Sequence, residues 1–596
     1  MKQTRIRKGA AFGIIAVMVS AMLLASMPTV SAKLYGDANG DGKIDMRDVT
    51  YVGLIILGKK PANELADANQ DGRVNVGDIT YIELVILGKA PHPGKTLKIA
   101  LGAEPDDLNP LTMYSHSPSD VPKFFNGLVK FDEDLDLAPD LAESWDVSAG
   151  GKVYTFHLRQ GVKWHDGKEF TAEDVKFTYD LIRSGGIISI FPLATEYEDI
   201  EEVDIEDDYT VKFTLREGIV PFRERFTVAI LPKHLLEGED LTTTDFWQHP
   251  IGTGPYKFKE WIGGEKLVMV ANRNYFAGVP VINEVTFVFV PEEISRVRLL
   301  KDGEVDAIKV DARALSMLAG EPGIEIYTAP AANWYGITLP TKTRPFDEKK
   351  VRQAIAYAIN KQAILDTIFQ DKGEIAYGPF RKSSWVYNPD IEYDYNPDKA
   401  RQLLAQAGFF DTDGDGIVEK DGEKLEFTLI YPVADTERRD IAIAVKTDLA
   451  AVGINAKLSG LSWDEITTDL IHENAFTISW GSPYDPDLLN YKLWHSKFLY
   501  QGWWNPACYE NPAVDELLDK GRTTWDREER KHIYQELQEI LVEDQPIAFI
   551  VYSDYVYAVS EKIIGITPRP GPHGAGTLGG MTGELWWNME EWEVKL

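Results

Sequence analysis

Two short stretches near the amino terminus carry oxygen-bearing side chains at spacings that suit a hard metal cation. Gly36–Pro61 and Ala66–Pro91 repeat each other, with more than half of their aligned positions identical. Clustered carboxylates repel one another unless a cation lies between them, and oxygen ligands at this spacing suit calcium. We therefore expect two calcium sites, with ligands Asp37, Asn39, Asp41, the carbonyl of Lys43, Asp45 and Asp48 in the first loop, and Asp67, Asn69, Asp71, the carbonyl of Arg73, Asn75 and Asp78 in the second.

An apolar helix is predicted after each loop. In the first copy Val49, Val52 and Ile55 recur at helical spacing, and the second copy repeats the pattern. One such helix cannot bury its apolar face alone, so the two helices should pack together. Two ordinary EF-hands are a weaker interpretation, because no helix precedes the first loop and Asp48 stands where Glu is usual.

This duplicated arrangement of loop and helix resembles a dockerin, a small all-α module with two calcium loops. The resemblance implies a partner, since dockerins bind cohesin modules of scaffolding proteins. In that family, loop positions 10 and 11 help to select the partner. Here they are Met46 and Arg47 in one copy and Val76 and Gly77 in the other, so we expect two unequal faces.

A third acidic stretch lies much further along the chain. Asp411, Asp413 and Asp415 alternate with small residues, and Glu419 and Glu423 follow. The spacing is compatible with another calcium site. It is equally compatible with an acidic β-turn between a helix and a strand, and the sequence leaves both interpretations open.

Aromatic side chains mark a candidate ligand site in the stretch Thr477–Leu489. Trp480 and Tyr484 stand on a loop stiffened by Gly and Pro. Their flat faces and the tyrosine hydroxyl suit stacking on a planar or cationic ligand. A place in the hydrophobic core is the alternative for either side chain.

The elements that would position such a site are clearest in Leu137–Ile182. The pattern predicts a short helical turn at Leu137–Trp145 and a strand at Val153–Arg159, where apolar and polar residues alternate. A turn containing Gly167 follows, and Thr171 with Asp174 predicts the start of a helix. A further strand is expected at 97–100, and a helix near 121–128.

The amino-acid motifs of these segments resemble those of family 5 extracellular solute-binding proteins, the peptide and nickel receptors of ABC importers. The matches are LAPDLAESW, FHLRQGVKWHDGKEF and TAEDVKFTY, followed in order by Gly252–Tyr256, Val351–Tyr357 and Asn396–Leu404. They run from about Leu97 to the carboxyl terminus. Such a resemblance implies an importer permease as a further partner.

The resemblance also implies an α/β fold of two lobes, the type II periplasmic-binding-protein architecture, with one lobe inserted into the other. Lobe one is expected at 97–330 and 545–596, and lobe two at 331–544. Residues 33–90 would be the dockerin and 91–96 a linker. Ligand would then lie in the cleft between the lobes, which move about two chain crossings.

Several cleft residues follow from the resemblance alone. In the nickel-binding branch the matching Trp and Tyr line the site, which implies ligand contacts for Trp480 and Tyr484. His495 lies near a metal-contacting histidine of that branch, although the spacing differs and a surface position stays open. Tyr114 lies near a cleft tyrosine, and Arg223 and Arg225 lie near arginines that hold chelator carboxylates.

The identity of the ligand stays open at this level. Dipeptide receptors of the family carry an Asp that pairs with the peptide amino group, and Ser482 occupies the matching place here. The candidates are therefore a peptide, a nickel or cobalt chelate, or an oligosaccharide.

The amino terminus predicts export from the cytoplasm. Basic residues precede the apolar run Ala10–Met27, and Val30-Ser31-Ala32 offers a cleavage site after residue 32. An uncleaved anchor is the alternative, because the run approaches the length that spans a bilayer. Cys508 is the only cysteine, so neither a lipid anchor at an amino-terminal cysteine nor a disulfide is expected. The protein should be secreted or extracytoplasmic, with attachment to the cell surface through cohesin or an uncleaved anchor.

Composition and motifs argue against two other functions. The formal net charge of -32 disfavours nucleic-acid binding, which depends on Lys and Arg at phosphates. Dockerins often accompany secreted hydrolases, but the sequence lacks Gly-x-Ser-x-Gly and His-Glu-x-x-His, since His472-Glu473 has no second histidine. We therefore expect a binding protein, with a dockerin-bearing hydrolase as the alternative.

Overall fold

The computed structural model describes residues 34–69, 72–87, 89–90, 92–105, 107–111, 123–148, 150–185, 193–481, 485–571 and 585–595. Within these ranges no helix has both the length and the apolar character needed to cross a membrane. The predicted signal segment lies outside the described residues. Two compact units are present, one ending at Thr96 and the other spanning Leu97–Lys595.

The first unit contains two matched helices, α1 (Met46–Ile56) and α2 (Val76–Ile86). Each begins with a capping box, in which the backbone N–H of Asp45 donates to Asp48 (2.9 Å) and that of Asn75 donates to Asp78 (2.7 Å). The helices pack on a small core that includes Val52 and Ile82. This arrangement agrees with the predicted repeat of loop and helix.

A strand, β1 (His92–Leu101), occupies most of the segment predicted as a linker and continues into the second unit. Its first half then contains the following elements: β2 (Val129–Phe131), β3 (Leu137–Pro139), β4 (Ala142–Val147), β5 (Val153–Leu158), α3 (Ala172–Arg183), β6 (Ile200–Asp207), β7 (Thr210–Leu215), α4 (Lys233–Leu236), β8 (Tyr256–Ile262), β9 (Lys266–Ala271), β10 (Ile282–Phe289), α5 (Glu293–Lys301), β11 (Ala307–Val310) and α6 (Leu315–Leu318).

The second half contains the long strand β12 (Ile324–Thr338) and then α7 (Lys349–Ala358), α8 (Lys361–Ile368), β13 (Gly373–Ile375), α9 (Pro397–Gln406), β14 (Glu419–Lys420), β15 (Glu423–Lys424), β16 (Glu426–Pro432), α10 (Thr436–Ala450), β17 (Asn455–Leu461), α11 (Thr468–Glu473), β18 (Ala475–Trp480), α12 (Asn490–Trp494), α13 (Pro512–Thr523), α14 (Arg527–Asp544), β19 (Ile547–Ser560), β20 (Ile563–Ile564) and β21 (Glu593–Val594).

One large mixed sheet connects both halves, with strand order β17-β16-β18-β12-β19-β11-β1-β10-β9-β8 and β13 also paired to β19. The strands β12 and β19 are 15 and 14 residues long and are neighbours in the middle of this sheet. Their antiparallel pairing breaks register between Pro330 and Trp334. The two strands are therefore continuous, but their pairing is irregular at this point.

The hydrophobic cores divide at the same place. Tyr557 and Val559 of β19 pack in the core built around β5 and α3, whereas Ile550 and Val551 pack in the core built around α7 and α10. The chain thus crosses back near Ser553. Residues 547–552 of β19 thus pack in different cores from Tyr557 and Val559, and the lobe boundary at residue 545 stays a prediction.

Lobe one carries a separate antiparallel sheet, β4-β5-β7-β6, on which α3 packs. The strand predicted at 153–159 and the helix start at Thr171 are both present, and the Thr171 N–H donates to Asp174 (3.0 Å). The predicted helical turn at Leu137–Trp145 is wrong. This stretch forms β3 and β4, because β2 and β5 each offer a free edge with which it pairs.

The helix predicted near 121–128 is also wrong for residues 123–128, the part that the structure describes. Backbone groups there bond to distant segments rather than along a helix: Gly254 donates to the Phe124 carbonyl (2.8 Å), and Leu128 donates to the Phe226 carbonyl (3.1 Å). Tertiary hydrogen bonds satisfy this backbone without helix formation.

Candidate functional site

Trp480 ends strand β18 at the junction of the two lobes. It lies opposite Trp334 of β12, immediately beyond the register break. The next residue, Gly481, has φ +154, and a Cβ there would lie 1.7 Å from the Ala332 carbonyl oxygen. Only glycine lets the chain pass this close to the crossing strand, so Trp480 is held beside the junction.

The half-buried Trp480 stacks on Trp504, with ring centroids 5.4 Å apart and an interplanar angle of 27°. Sequence reasoning did not select Trp504, although the adjacent tryptophans 503 and 504 were a visible signal. Tyr484, Ser482 and Tyr114 lie outside the described residues, so their predicted positions stay predictions.

Lys492 and Glu196 connect the stacked pair of Trp480 and Trp504 with lobe one. The Lys492 ammonium lies 4.7 Å from the centroid of the Trp504 ring and forms an ion pair with Glu196. Burial alone would raise the pKa of Glu196, but Arg225 and Lys492 outweigh it and lower that pKa to about 2. Glu196 is therefore a carboxylate anion that joins the lobes.

The two arginines predicted for chelator binding have different environments. Arg223 is exposed, whereas Arg225 is buried and paired with Glu196. The Arg225 carbonyl also accepts a hydrogen bond from the hydroxyl of buried Tyr197 (2.9 Å). Arg225 thus supports the contact between the lobes through Glu196.

A second contact between the lobes is made by buried carboxylates. Glu224 of lobe one accepts a hydrogen bond from the backbone N–H of Asp485 in lobe two (3.0 Å). Burial, reinforced by the Asp485 charge, raises the pKa of Glu224 to about 8. The Asp485 carboxylate itself forms a bidentate ion pair with buried Arg530, and Asp487 pairs with Arg522 (3.2 Å). The Asp-Pro-Asp segment is thereby anchored in lobe two.

A third contact joins Trp525 and Gly151. The indole of Trp525, from the segment between α13 and α14, covers Gly151 of the β4–β5 turn. Glycine is required at position 151 for two reasons. A Cβ there would lie 1.9 Å from the Trp525 ring, and the backbone φ of +66 is one that side-chain-bearing residues rarely adopt.

His495 lies against α13 of lobe two. Its Nδ1 is 3.3 Å from the Asp515 carboxylate, its Nε2 is 3.5 Å from the Asp519 carboxylate, and 12% of its side chain is exposed. Both ring nitrogens therefore face carboxylates of its own lobe.

A polar cavity of about 850 Å³ opens between the lobes near this histidine. Its walls include Glu198 and Glu217 from lobe one and Tyr491, Lys497 and Arg522 from lobe two. Charges of both signs are thus available to a ligand that enters between the lobes.

In each of the two amino-terminal loops, the first aspartate accepts backbone N–H groups of its own loop. In the first, Asp37 accepts the backbone N–H groups of Asp41 (2.9 Å) and Gly42 (2.8 Å), and Arg47 lies between the carboxylates of Asp41 (2.7 Å) and Asp45 (2.6 Å). An all-oxygen donor set that attracts a basic side chain fits a hard cation.

The second loop repeats this geometry where it is described. Asp67 accepts the N–H of Gly72 (2.9 Å), as Asp37 accepts that of Gly42, and both glycines have φ +84. Asp71 lies outside the described residues.

Large apolar side chains are exposed at equivalent positions of the two repeats. Their exposed fractions range from 40% to 68%, and the residues are Met46, Ile56 and Leu57 in the first copy and Val76, Ile86 and Leu87 in the second.

Comparison with known proteins assigns both units. Residues 136–500 match the family described as bacterial extracellular solute-binding proteins, family 5 Middle, and residues 35–87 match the dockerin type I domain. The chain belongs to the family 5 extracellular solute-binding proteins. Members are receptors, and the matched dockerin module precedes the receptor unit, as the sequence motifs predicted.

This family 5 protein resembles both peptide and nickel receptors. It is 33% identical over 494 residues to the oligopeptide-binding protein AppA of Bacillus subtilis, covering 80% of this chain and 90% of AppA. It is 30% identical over 509 residues to the dipeptide-binding protein of Escherichia coli, covering 80% of this chain and 92% of that protein.

Solved structures give the same picture. NikZ from Campylobacter jejuni in complex with Ni(L-His) superimposes with a TM-score of 0.74 at 32% identity, over 84% of this chain and 99% of NikZ. AppA from Bacillus subtilis in complex with a nonapeptide superimposes with a TM-score of 0.71 at 31% identity, over 84% of this chain and 98% of AppA. The bilobed fold expected for this family 5 receptor is therefore confirmed.

Proposed function

We propose that this protein is an extracytoplasmic receptor that captures a peptide or a nickel-type chelate and delivers it to an ABC importer. The observation that carries the proposal is the stacked pair Trp480–Trp504 beside the crossing strands of a family 5 fold. Relatives of similar identity bind a nonapeptide or Ni(L-His), so these two ligand classes are the first to test.

Capture is proposed to couple to closure of the lobes about β12 and β19. The irregular pairing between Pro330 and Trp334 and the crossing near Ser553 provide two adjacent points where backbone angles can change. Ligand drives closure only if it binds the closed arrangement more tightly than the open one. Aromatic faces next to these points suit that role, because they meet the ligand as the lobes approach.

Contacts between residues of the two lobes also stabilise the closed arrangement. Lys492 pairs with Glu196, and the Asp485 N–H donates to Glu224. These groups belong to different lobes and must separate when the cleft opens. They therefore set part of the energy difference between the open and closed forms, and hence the affinity for ligand.

Mass spectrometry of small molecules released from the purified, denatured protein tests the ligand assignment. Calorimetric titration with Ni(L-His) and with a set of nonapeptides then follows on the stripped protein. Submillimolar binding of either probe supports the proposal. Hydrolysis of peptide or glycan substrates by the purified protein, lost on replacing one carboxylate, would establish an enzyme instead.

We propose further that the dockerin attaches the receptor to a cohesin-bearing scaffold or surface protein and that two calcium ions hold its loops. The exposed apolar residues at both helix ends support a protein-binding surface, since patches of this kind mark interaction sites. Calcium-dependent retention of the full chain on immobilised cohesin, abolished by chelator, is the expected result. Retention unchanged by chelator would contradict it.

A further inference from the structure

The acidic loop in lobe two brings three carboxylates together. One oxygen from each of Asp411, Asp413 and Glu419 lies within 4.8 Å of the others. Among the described residues, this is the one set of three or more Asp, Glu, His or Cys side chains whose possible ligand atoms come this close together. From the sequence, Asp411, Asp413 and Asp415 were the candidate ligands and Glu419 only an acid that follows them. The structure brings Glu419, the first residue of β14, to Asp411 and Asp413.

Glu419 distinguishes this loop from an ordinary acidic turn. The residue is 91% buried, since only 9% of its surface is exposed. Its Oε1 accepts the backbone N–H of Thr412 (2.8 Å) and also the Thr412 hydroxyl. Its Oε2 is completely buried and has no hydrogen-bond partner. A buried carboxylate oxygen without a donor is unfavourable, and a bound cation would satisfy it.

The backbone of the loop also matches the first dockerin loop. Asp411 accepts the N–H of Gly416 (3.1 Å), five residues on, as Asp37 accepts that of Gly42 (2.8 Å). Gly416 has φ +88 and Gly42 has φ +84. All three loops of the chain share the order Asp-x-Asp/Asn-x-Asp-Gly-x-Ile/Val followed by an oxygen-bearing side chain.

A basic side chain occupies the mouth of the loop. Lys424 of β15 forms ion pairs with Asp413 (3.3 Å) and Asp415. In the first dockerin loop Arg47 likewise pairs with two carboxylates, those of Asp41 and Asp45, which stand one ligand position further along the loop. The Lys424 side chain is 38% exposed and can therefore move into solvent when a cation enters.

We propose that residues 411–419 form a third calcium loop, with Asp411, Asp413, Asp415 and Glu419 as its side-chain ligands and Lys424 as an internal competitor. The loop connects α9 to the β14–β15 hairpin. The N–H of Val418 donates to the Gly453 carbonyl after α10 (2.9 Å). The ion therefore fastens this connection to the edge of lobe two, independently of the ligand cleft and of the dockerin.

The test counts calcium bound to the full-length protein by equilibrium dialysis. To isolate the third site, the chain carries Asp37→Asn and Asp67→Asn, which disable the dockerin loops. This background should retain one calcium per chain, and adding Glu419→Gln should remove it. A matched control, Asp421→Asn, alters a neighbouring acid outside the cluster and should keep the ion. No bound calcium in the background, or calcium retained with Glu419→Gln, would overturn the proposal.

Lys424→Met provides an independent measurement that preserves all four ligands. If Lys424 competes with calcium, its removal should tighten binding at this site several-fold and lower the calcium concentration needed to raise the melting temperature of the receptor unit. An unchanged or weaker affinity would mean that the lysine alone neutralises an acidic turn. This variant remains informative even if Glu419→Gln folds poorly.

Discussion

Lys492 of lobe two forms an ion pair with Glu196 of lobe one, although 296 positions separate them in the chain. The same lysine lies over Trp504, which stacks on Trp480. One cation therefore connects the aromatic pair at the lobe junction with a half-buried carboxylate on the opposite lobe. Any change in the separation of the lobes must break or form this pair.

Lys492→Met should therefore shift the protein toward the open form. The ion pair between Glu196 and Arg225 remains in this variant, so the fold should survive. The affinity for the ligand, whether Ni(L-His) or a nonapeptide, should fall about tenfold, roughly 1.4 kcal/mol. Distances between spin labels on introduced cysteines in each lobe report the opening, and the native Cys508 is buried.

Lys457→Met is the matched control for this change. Lys457 also pairs with a carboxylate, that of Glu426 (2.5 Å), but both residues are in lobe two. It should alter neither the label distances nor the affinity. Equal effects of the two substitutions would remove the role assigned to the pair between the lobes.

Trp480→Ala should weaken ligand binding by about 1–3 kcal/mol, judged from the area and stacking of a buried aromatic ring. Trp334, opposite it on β12, is fully buried and serves as the core reference. Trp334→Ala should cost about 3–5 kcal/mol of stability. Thermal melts without ligand and calorimetric titration separate the two effects. If Trp480→Ala melts as low as Trp334→Ala while its folded fraction binds normally, Trp480 is a core residue.

Short sequence patterns correctly predicted elements whose formation depends on residues that are close together in the chain. The alternation of Val153–Leu158 and the Thr171–Asp174 capping box predicted a strand and a helix start that the structure contains. Leu137–Trp145 differs because its conformation depends on the free edges of β2 and β5, which no short window of sequence displays. Tertiary pairing overrode local preference there.

The same limit applies to the candidate site. The motif around Trp480 was recognisable, whereas Glu196, Lys492 and Trp504 become a group only through contacts between the lobes. The glycines of the segment 252–256 likewise belong to a family motif, but the sequence gives no physical reason for glycine at these positions. A Cβ at Gly252 would lie 1.8 Å from the Phe124 carbonyl oxygen, a contact that the sequence cannot reveal.

The dockerin should be dispensable for ligand binding. Deleting residues 33–92 should abolish retention on cohesin and leave the affinity of the receptor for its ligand unaltered, because the cleft is built from residues of the second unit. Surface-bound cohesin and calorimetric titration measure the two properties on the same preparation. A fall in ligand affinity of more than about tenfold would show that the module contributes to the cleft.

Receptor stability should depend on pH through His165. Its Nε2–H donates to the Gly254 carbonyl (3.1 Å) and its Nδ1 accepts the Gly252 N–H (3.2 Å), so the fold requires a neutral ring. Burial lowers the pKa of His165 to about 4. In the unfolded chain the histidine binds its proton near pH 6.5, so between pH 6.5 and 4 the unfolded state holds more protons than the native state.

Stability should consequently be lost as the pH falls through that window, by about 2–3 kcal/mol from this group at pH 4.5. Urea unfolding of the full chain at pH 7 and pH 4.5 measures the loss, and His165→Gln should reduce it. His157→Gln is the control for replacing a histidine, since His157 lies on β5 with 41% of its side chain exposed. If both variants lose as much stability as the wild type between the two pH values, the neutral His165 ring is not the source of the acid sensitivity.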